Sequence, residues 1–203
     1  MFWRAGERAS ERLVPFDVDR AAVEDARRDP RRFEALYRRY VAQVYSFALY
    51  ELRDAHAAED VTEQVFLRAL AGLPRFEERD VDGAGTFRVW LFRIARNTIS
   101  NERRRLRRHP TGPLELAELV PAAQDVASEV VQRDAAARAW KVIQGLPADR
   151  RRALVLRFVH ELPTAEIAAI LGRSEGAVRV LIHRALRAVA DELGRGAGRG
   201  RPA

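Results

Sequence analysis

The sequence predicts an all-α protein of two small helical domains joined by a flexible linker, with a helix-turn-helix in the second domain. Apolar residues recur at intervals of three and four along most of the 203 residues, which is the period of amphipathic helices. A stretch that lacks this period and contains three prolines, residues 109–127, separates the periodic segments. Lys and Arg total 36 against 29 Asp and Glu, and this excess favours a polyanionic partner.

Composition argues against several other classes of protein. The chain has no cysteine, which excludes disulfides and thiolate zinc sites and suits a reducing cytoplasm. Its four histidines lack metal-ligand spacing, so we expect no metal, no cofactor, no catalytic residue and no enzymatic activity. Charges interrupt the apolar residues near the N-terminus, so we expect a cytoplasmic, soluble protein without membrane insertion.

The first domain is expected over residues 28–108, after a flexible arm over residues 1–27 that has room for one short helix. A long amphipathic helix follows Pro30, because seven apolar residues recur at helical spacing. These residues are Phe33, Leu36, Tyr37, Tyr40, Val41, Val44 and Ala48.

A second helix, capped by Asp54, is predicted to end near Gly72 and Pro74. Its small apolar residues share one face and point inward: Ala58, Val61, Val65 and Ala69. Its other face forms an acidic, exposed patch made of Glu59, Asp60, Glu63 and Gln64.

A third helix, capped by Thr86, carries the first sign of nucleic-acid binding. Its inward stripe is expected to contain Phe87, Trp90, Leu91, Ile94 and Thr98. Its opposite face clusters hydrogen-bond donors, which suit phosphates: Arg93, Arg96, Asn97, Ser100, Arg104 and Arg107. Trp90 could stack on a base but fits the core better, whereas Phe92 is the better candidate for an exposed aromatic residue.

The second domain is expected over residues 128–194, after the acidic, proline-containing linker 109–127. Ser128 can cap its first helix, and a further helix starts after Pro147. That helix is expected to pack four apolar residues inward: Leu154, Val155, Phe158 and Val159. The Gly- and Arg-rich tail 195–203 is expected to be disordered.

Two helices joined by a tight turn follow, in the manner of a helix-turn-helix. Thr164 can cap the first helix, Gly172 ends it, and Ser174 starts the second. The buried stripe of the second helix is expected to contain Val178, Ile182, Ala185, Leu186, Val189 and Leu193. Its exposed stripe contains Glu175, Arg179, His183 and Arg187, which is how such a helix presents donors to the major groove.

An ordinary helical hairpin, whose arginines are merely solvated on its surface, remains an alternative to the helix-turn-helix. The first turns of a recognition helix enter the groove first, so base contacts are expected from Glu175, Arg179, Val180 and His183. Arg179 can read guanine with two hydrogen bonds or clamp a phosphate, and both interpretations stay open.

The chain resembles the extracytoplasmic-function (ECF) sigma factors, small bacterial RNA polymerase sigma factors that retain conserved regions two and four. The resemblance covers about residues 30–194. Region two is represented by FEALYRRYVAQVYSFAL, AEDVTEQVFLRAL and FRVWLFRIARNTISNERRR. Region four is represented by LPADRRRALVLRFVHELPTAEIAAILGRSEGAVRVLIHRAL.

The resemblance implies a protein that recruits core RNA polymerase to promoters and opens DNA. Core polymerase would be bound, through its beta-prime coiled coil, by Glu59, Asp60, Glu63, Gln64 and Phe66, and through its beta flap by the second domain. The minus-ten element would be bound by Arg75, Phe76, Arg88, Arg93, Arg96, Asn97, Ser100 and Arg104. The minus-thirty-five element would be bound by Thr164, Ser174, Glu175, Arg179, Val180, His183, Arg184 and Arg187.

An anti-sigma factor is a further partner that the resemblance allows. The second interpretation of the whole chain is a stand-alone helix-turn-helix transcription regulator whose N-terminal helical domain binds some other partner. The C-terminal helix-turn-helix of such a regulator would have a sequence similar to the one seen in this chain.

Overall fold

The computed structural model describes residues 18–78, 86–108 and 139–198, and these residues form helices with short connections. No strand occurs among them, so the predicted all-α class is confirmed. The linker 109–127, the predicted Ser128 cap and the loop residues 79–85 lie outside the described residues. None of the described helices is long and apolar enough to cross a membrane.

Four α-helices make up the first half of the described chain. A short 3-10 turn at Pro30–Phe33 precedes the second helix, and another at Leu73–Arg75 follows the third. The helices are α1 (Arg20–Arg28), α2 (Glu34–Leu52), α3 (Ala55–Gly72) and α4 (Phe87–Arg108).

The second half of the described chain, residues 139–198, contains the helix-turn-helix. A helical stretch over residues 139–145 comes first, and three complete helices follow. They are α5 (Ala148–Phe158), α6 (Thr164–Leu171) and α7 (Glu175–Gly198). Since α7 continues through Gly198, the structure differs from the prediction of a disordered tail that begins at residue 195.

Most of the predicted helix caps are present. The Asp54 carboxylate accepts from the Ala57 N–H at 2.9 Å, and the Ser174 hydroxyl accepts from the Ala177 N–H at 3.2 Å. The Thr86 hydroxyl accepts from the Val89 N–H at 3.3 Å. The predicted Thr164 cap is wrong, because Pro163 occupies the cap position and Thr164 is the first residue of α6.

Gly172 ends α6 at a backbone angle that favours glycine. Its φ is +66°, in the left-handed region, and the Arg173 N–H returns to the Ala168 carbonyl at 2.9 Å. A side chain with a Cβ is strained in this conformation. The tight turn before α7 therefore depends on Gly172, as the sequence predicted.

The last part of the predicted N-terminal arm forms the one short helix for which the sequence left room. Helix α1 starts at Arg20 and buries Val23 and Ala26. Just before it, the buried Asp19 carboxylate accepts hydrogen bonds from the Arg39 guanidinium and the Tyr40 hydroxyl of α2. Residues 19–28 therefore pack onto the first domain.

One hydrophobic core runs through both halves. Helix α4 lies between α2 and α3 on one side and α6 on another. The ring centroid of Phe92 in α4 lies 5.7 Å from that of Phe47 in α2 and 5.4 Å from that of His160, which follows α5. The prediction that Phe92 is exposed is wrong, because a helix covered on two sides buries more than one face.

Three other residues predicted to lie inside are exposed. Helix α5 ends at Phe158, so Phe158 and Val159 extend beyond its packed turns and are exposed. Leu186 in α7 is also exposed, because it lies beside the face of α7 that buries Val178 and Ala185 and not on it. The other predicted inward residues of α5, Leu154 and Val155, are buried.

Candidate functional site

An acidic patch borders an apolar groove between α2 and α3. Glu59, Asp60, Glu63 and Gln64 are all exposed, as the sequence predicted. The groove measures about 580 Å³, and the side chains that line it are mainly apolar. Its apolar lining includes Tyr37, Val41, Tyr45, Phe66, Leu67 and Leu70.

Leu67 shows that this groove lacks a partner within the described chain. Leu67 is 58% exposed although it is a large aliphatic residue in the second half of α3, and Leu70 one turn later is also exposed. Exposed apolar surface with a charged rim is typical of protein-binding sites. The patch and the groove together are called the α2–α3 groove below.

Phe66 contributes to the α2–α3 groove only from below. Phe66 is 5% exposed, and its ring makes edge contacts with the rings of Tyr37 and Phe33, at 4.8 Å and 6.3 Å between centroids. The expectation of a direct surface contact from Phe66 is therefore corrected: its ring forms the floor of the groove and positions Tyr37.

Phe76 is a second correction. It is 6% exposed and packs against Trp90 at 4.9 Å and Phe87 at 6.0 Å between ring centroids, while the Arg27 guanidinium lies 5.8 Å from its ring. A ring held this way is part of the core and is unavailable to DNA. Arg75, beside it, is exposed as expected.

Trp90 is half-buried and closes the same aromatic cluster. A Cβ added at Gly72 would lie 3.0 Å from the Trp90 ring, so the absence of a side chain at Gly72 lets the indole lie against the end of α3. The structural interpretation of Trp90 as a packing residue is confirmed.

The basic face of α4 divides into two sets of residues. Arg93, Asn97, Arg104 and Arg107 are exposed. The Asn97 side-chain oxygen accepts from the Arg96 guanidinium at 3.0 Å, and the Arg104 guanidinium donates to Asn101 at 3.0 Å. These exposed residues can approach a phosphate backbone without any change in the packing of the helices.

Arg88, Arg96 and Ser100 instead contact the second half of the chain. The Arg88 Nε donates to Glu166 Oε2 at 2.8 Å, and the Arg96 guanidinium donates to the Ile170 carbonyl. The Ser100 hydroxyl accepts from the Arg152 guanidinium at 2.9 Å. The structure therefore places three of the expected DNA contacts under α5 and α6.

The pKa values of two of these arginines report their surroundings. Burial alone would lower the pKa of Arg88, but the hydrogen bonds and the charge of Glu166 raise it. The pKa of Arg96 is lowered by burial and by the neighbouring charges of Arg152 and Arg93, which outweigh the opposite effect of the Asp149 charge. Among the described residues, Arg88 forms a salt bridge with a carboxylate, whereas Arg96 donates to the Ile170 carbonyl and the Asn97 side chain.

The recognition helix α7 presents its stripe to solvent. Arg179, Val180, His183, Arg184 and Arg187 are exposed, and Glu175 is half-buried. Arg179 donates to the Glu175 carboxylate one turn earlier at 2.7 Å. An exposed pair of this kind contributes little stability, so Arg179 is free to exchange Glu175 for a base or a phosphate.

Sequence reasoning missed an ionic cluster around Glu51 at the end of α2. Its carboxylate is completely buried and accepts from three guanidiniums, those of Arg103, Arg151 and Arg152. The one available signal was an acidic residue at a position inside an apolar run, since residues 47–52 are otherwise mostly apolar. The partners could not be read from helical periodicity because they come from α4 and α5.

Family models match most of the described chain. Sigma-70 region 2 matches residues 36–109, and sigma-70 region 4 matches residues 137–189. Both matches lie where the sequence resemblance placed these regions.

Curated relatives point to one group of sigma factors. RNA polymerase sigma-H factor of Pseudomonas aeruginosa is 32% identical over 191 residues, which is 89% of this chain and 96% of that protein. ECF RNA polymerase sigma factor ShbA of Streptomyces griseus is 33% identical over 68% of this chain and 73% of that protein. SigD of Mycobacterium tuberculosis is 33% identical, and the match spans 70% of this chain and 65% of SigD.

Two solved structures share the fold. CnrH, solved in complex with the cytosolic domain of CnrY, has a TM-score of 0.64 and 24% identity, over 87% of this chain and 97% of CnrH. RpoE, solved with the anti-sigma factor NepR from Bartonella quintana, has a TM-score of 0.59 and 23% identity, over 80% of this chain and 96% of RpoE.

Proposed function

The chain belongs to the ECF family of RNA polymerase sigma factors and carries their regions two and four, and we propose that it binds core RNA polymerase, directs it to specific promoters and promotes DNA opening. The observation that carries the proposal is the presence of three surfaces on one chain, in the order that the function needs. They are the α2–α3 groove, the basic face of α4 and the exposed stripe of α7.

The α2–α3 groove is proposed to bind the beta-prime coiled coil of core polymerase. Exposed Leu67 and Leu70 offer apolar contact, and Glu59, Asp60, Glu63 and Gln64 form a polar rim around it. A helical partner with apolar and basic side chains would bury the first set and pair with the second. The groove is concave and exposed, so a helix can dock without unfolding α2 or α3.

The basic face of α4 is proposed to bind the minus-ten element. Arg75, Arg93, Asn97 and Arg104 are exposed and can contact phosphates directly. Arg88, Arg96 and Ser100 belong to the same face but need release from α5 and α6 first.

The stripe of α7 is proposed to bind the minus-thirty-five element in the major groove. Glu175, Arg179, Val180 and His183 lie on its first turns and would meet base edges. Phosphate contacts are assigned to the start of α6, the turn and the later part of α7, through Thr164, Ser174, Arg184 and Arg187. The second domain is also proposed to meet the beta flap of the polymerase.

Three further assignments follow from the family. Sigma factors are not a class of enzymes, and we assign no reaction to this chain, because the polymerase supplies the catalysis. We place the protein in the cytoplasm, where the polymerase works. An anti-sigma factor is proposed as a regulator, since the fold of the chain resembles that of RpoE, which was solved with NepR.

The experiment that tests this function compares promoter binding with and without core polymerase. Promoter fragments selected from genomic DNA are incubated with the full chain, with core polymerase, and with both. A sigma factor requires both components for a specific, heparin-resistant complex. A stand-alone regulator binds its sites equally well without polymerase, and that result would contradict the proposal.

A further inference from the structure

Helix α1 contacts the short turn that carries Arg75. The Arg27 Nε in α1 donates to the Leu73 carbonyl at 3.2 Å, although the two residues lie 46 positions apart in the chain. The Arg27 guanidinium also lies 5.8 Å from the centroid of the Phe76 ring, within the range of a cation–π contact. One side chain of α1 therefore contacts the turn Leu73–Arg75 at its start and just after its end.

Arg75 is exposed, whereas the residues that fix its backbone are buried. The Phe76 N–H closes the turn by donating to the Leu73 carbonyl at 3.1 Å, and both of these residues are buried. The Leu73 carbonyl therefore accepts from the backbone and from Arg27. Because the backbone sets the direction in which a side chain leaves the surface, the contacts of this turn orient Arg75.

A second arginine of α1 contacts the residues that follow the turn. The Arg20 Nε lies 3.2 Å from the Glu78 carboxylate, but the Arg20 side chain is exposed, so this ion pair contributes little. A cleft of about 300 Å³ lies between α1 and residues 76–78. Close packing does not fill that space, so the contacts of Arg27 form the main link between α1 and the turn.

Helix α1 is itself fixed to the rest of the first half. Val23 and Ala26 are buried, and the Asp19 carboxylate just before the helix accepts from Arg39 and Tyr40 of α2. The whole helix precedes residue 36, where the match to sigma-70 region 2 begins. A helix outside the matched segment therefore provides a rigid support for the turn that carries an exposed arginine.

We propose that Arg27 is a positioning residue for DNA binding: it holds the turn Leu73–Arg75 so that Arg75 is directed toward the minus-ten element. The inference rests on the proposed function for the identity of the DNA. Arg27 acts here through Arg75 and not through its own charge. A direct phosphate contact by Arg27 is the alternative, and the two differ in what a lysine at position 27 can replace.

Arg27→Lys keeps the positive charge but removes the geometry of the contact. A lysine has no planar group that can lie on the Phe76 ring while a second donor bonds the Leu73 carbonyl. A phosphate contact would largely survive this substitution, whereas a positioning role would not. Arg28→Lys is the matched control, because Arg28 is an exposed neighbour on α1 whose guanidinium lies near Asp25, at 3.7 Å.

Amide hydrogen exchange in the full chain measures how firmly the turn is held. The Phe76 amide donates to the Leu73 carbonyl, so its exchange rate reports on opening of the turn. We expect Arg27→Lys to raise that rate about tenfold, through the loss of a charge-assisted hydrogen bond. Arg28→Lys should leave the rate unchanged.

A double-mutant cycle with a fluorescent oligothymidine measures whether Arg27 acts through Arg75. We expect Arg27→Lys and Arg75→Ala each to lower the affinity of the full chain about fivefold. The double variant should bind no more weakly than Arg75→Ala alone. Arg104, exposed near the C-terminal end of α4, is the control partner: Arg27→Lys and Arg104→Ala should act independently.

Three results would overturn the inference. An unchanged exchange rate of the Phe76 amide in Arg27→Lys would show that Arg27 does not hold the turn. Independent effects of Arg27→Lys and Arg75→Ala on affinity, or no loss of affinity in Arg75→Ala, would show that the turn does not position Arg75 on DNA. A chain that shows the expected coupling but never binds core polymerase would support this inference while contradicting the proposed function.

Discussion

Glu51 and Arg151 lie one hundred residues apart in the chain, and the Arg151 Nε donates to the Glu51 carboxylate at 3.0 Å inside the core. Arg151 also donates to the carbonyls of Gln144 and Leu146, so its guanidinium links α2 to the start of the second half. A charged pair at this depth is strongly coupled to its surroundings, because each partner depends on the other for its solvation.

We predict that Glu51→Gln destabilises the protein by about 3 kcal/mol, because it leaves three guanidiniums around a neutral amide. Urea unfolding followed by circular dichroism measures this change. Glu102→Gln, which breaks a pair with the exposed Arg105 inside α4, should change the free energy of unfolding much less. Equal effects of the two substitutions would mean that the Glu51 cluster has no special role.

Charge reversal in the α2–α3 groove should abolish polymerase binding. Asp60→Arg combined with Glu63→Arg places two positive charges on a rim that is exposed, so helicity and thermal unfolding should change little. Co-purification with core polymerase is the measurement. A control with Glu24→Arg and Glu77→Arg makes the same charge change at exposed positions outside the groove and should keep binding. If the first variant still bound core polymerase, the α2–α3 groove would not be the polymerase-binding site.

The exposed arginines of α4 should contribute to DNA affinity through counterion release. Arg93→Ala and Arg104→Ala should each reduce the slope of log K against log salt by roughly 0.7 to 0.9 of a unit. Titrations of the polymerase complex with a minus-ten fragment at several salt concentrations give the slope. Arg38→Ala on α2, whose guanidinium pairs with Glu34, serves as the control and should leave it unchanged. If neither α4 substitution changed the slope, the basic face of α4 would contact protein and not DNA.

Arg179→Ala separates base reading from phosphate clamping. A base reader that loses its bidentate contact to guanine relaxes the preference at one minus-thirty-five position by about 1 to 3 kcal/mol. A clamp weakens all promoters alike, as we expect for Arg187→Ala. Competition among promoter variants with single base changes distinguishes the two. If Arg179→Ala alters neither promoter choice nor salt dependence, α7 does not enter the groove in the proposed orientation.

His160 should make the packing of the two halves sensitive to acid. Burial lowers its pKa to about 4, and between the rings of Phe47 and Phe92 its Nε2 has no hydrogen-bond partner among the residues that the structure describes. The folded state therefore favours neutral histidine. Its contribution is fully present above the unfolded pKa of about 6.5 and is lost as the pH falls toward 4, by up to about 3 kcal/mol.

Unfolding of wild type and His160→Phe between pH 7 and pH 4 measures this contribution by difference. The substitution keeps an aromatic ring beside Phe47 and Phe92 but cannot be protonated. Carboxylates titrate in both proteins, so only the difference reports on His160. A stability difference between the two proteins that does not vary with pH would contradict the assignment.

Apart from α1, which lies mostly in the segment expected to be a flexible arm, the sequence predicted each described helix, because an amphipathic helix needs only its own residues to be recognised. Asp54, Thr86 and Ser174 identified three helix starts, and Gly172 identified the turn. These signals are local, and their physical causes act within one or two turns of the helix.

The spacing of apolar residues in a helix does not say which other elements pack against that helix. The wrong predictions concern these contacts. Phe92 was expected outside because one stripe of α4 seemed enough for the core, but α6 covers another face. Phe66 and Phe76 were expected on binding surfaces, and neighbouring aromatic residues bury them. The partners of Glu51 are distant in sequence, so only the folded chain brings them together.

Transcription initiated by the purified chain with core polymerase on a genomic library tests the central claim most directly, with transcript 5′ ends mapped by sequencing. We predict a small set of start sites that share minus-ten and minus-thirty-five elements. These start sites should be absent with core polymerase alone and lost with Asp60→Arg and Glu63→Arg together. A start-site profile identical to that of core polymerase alone would contradict the central claim.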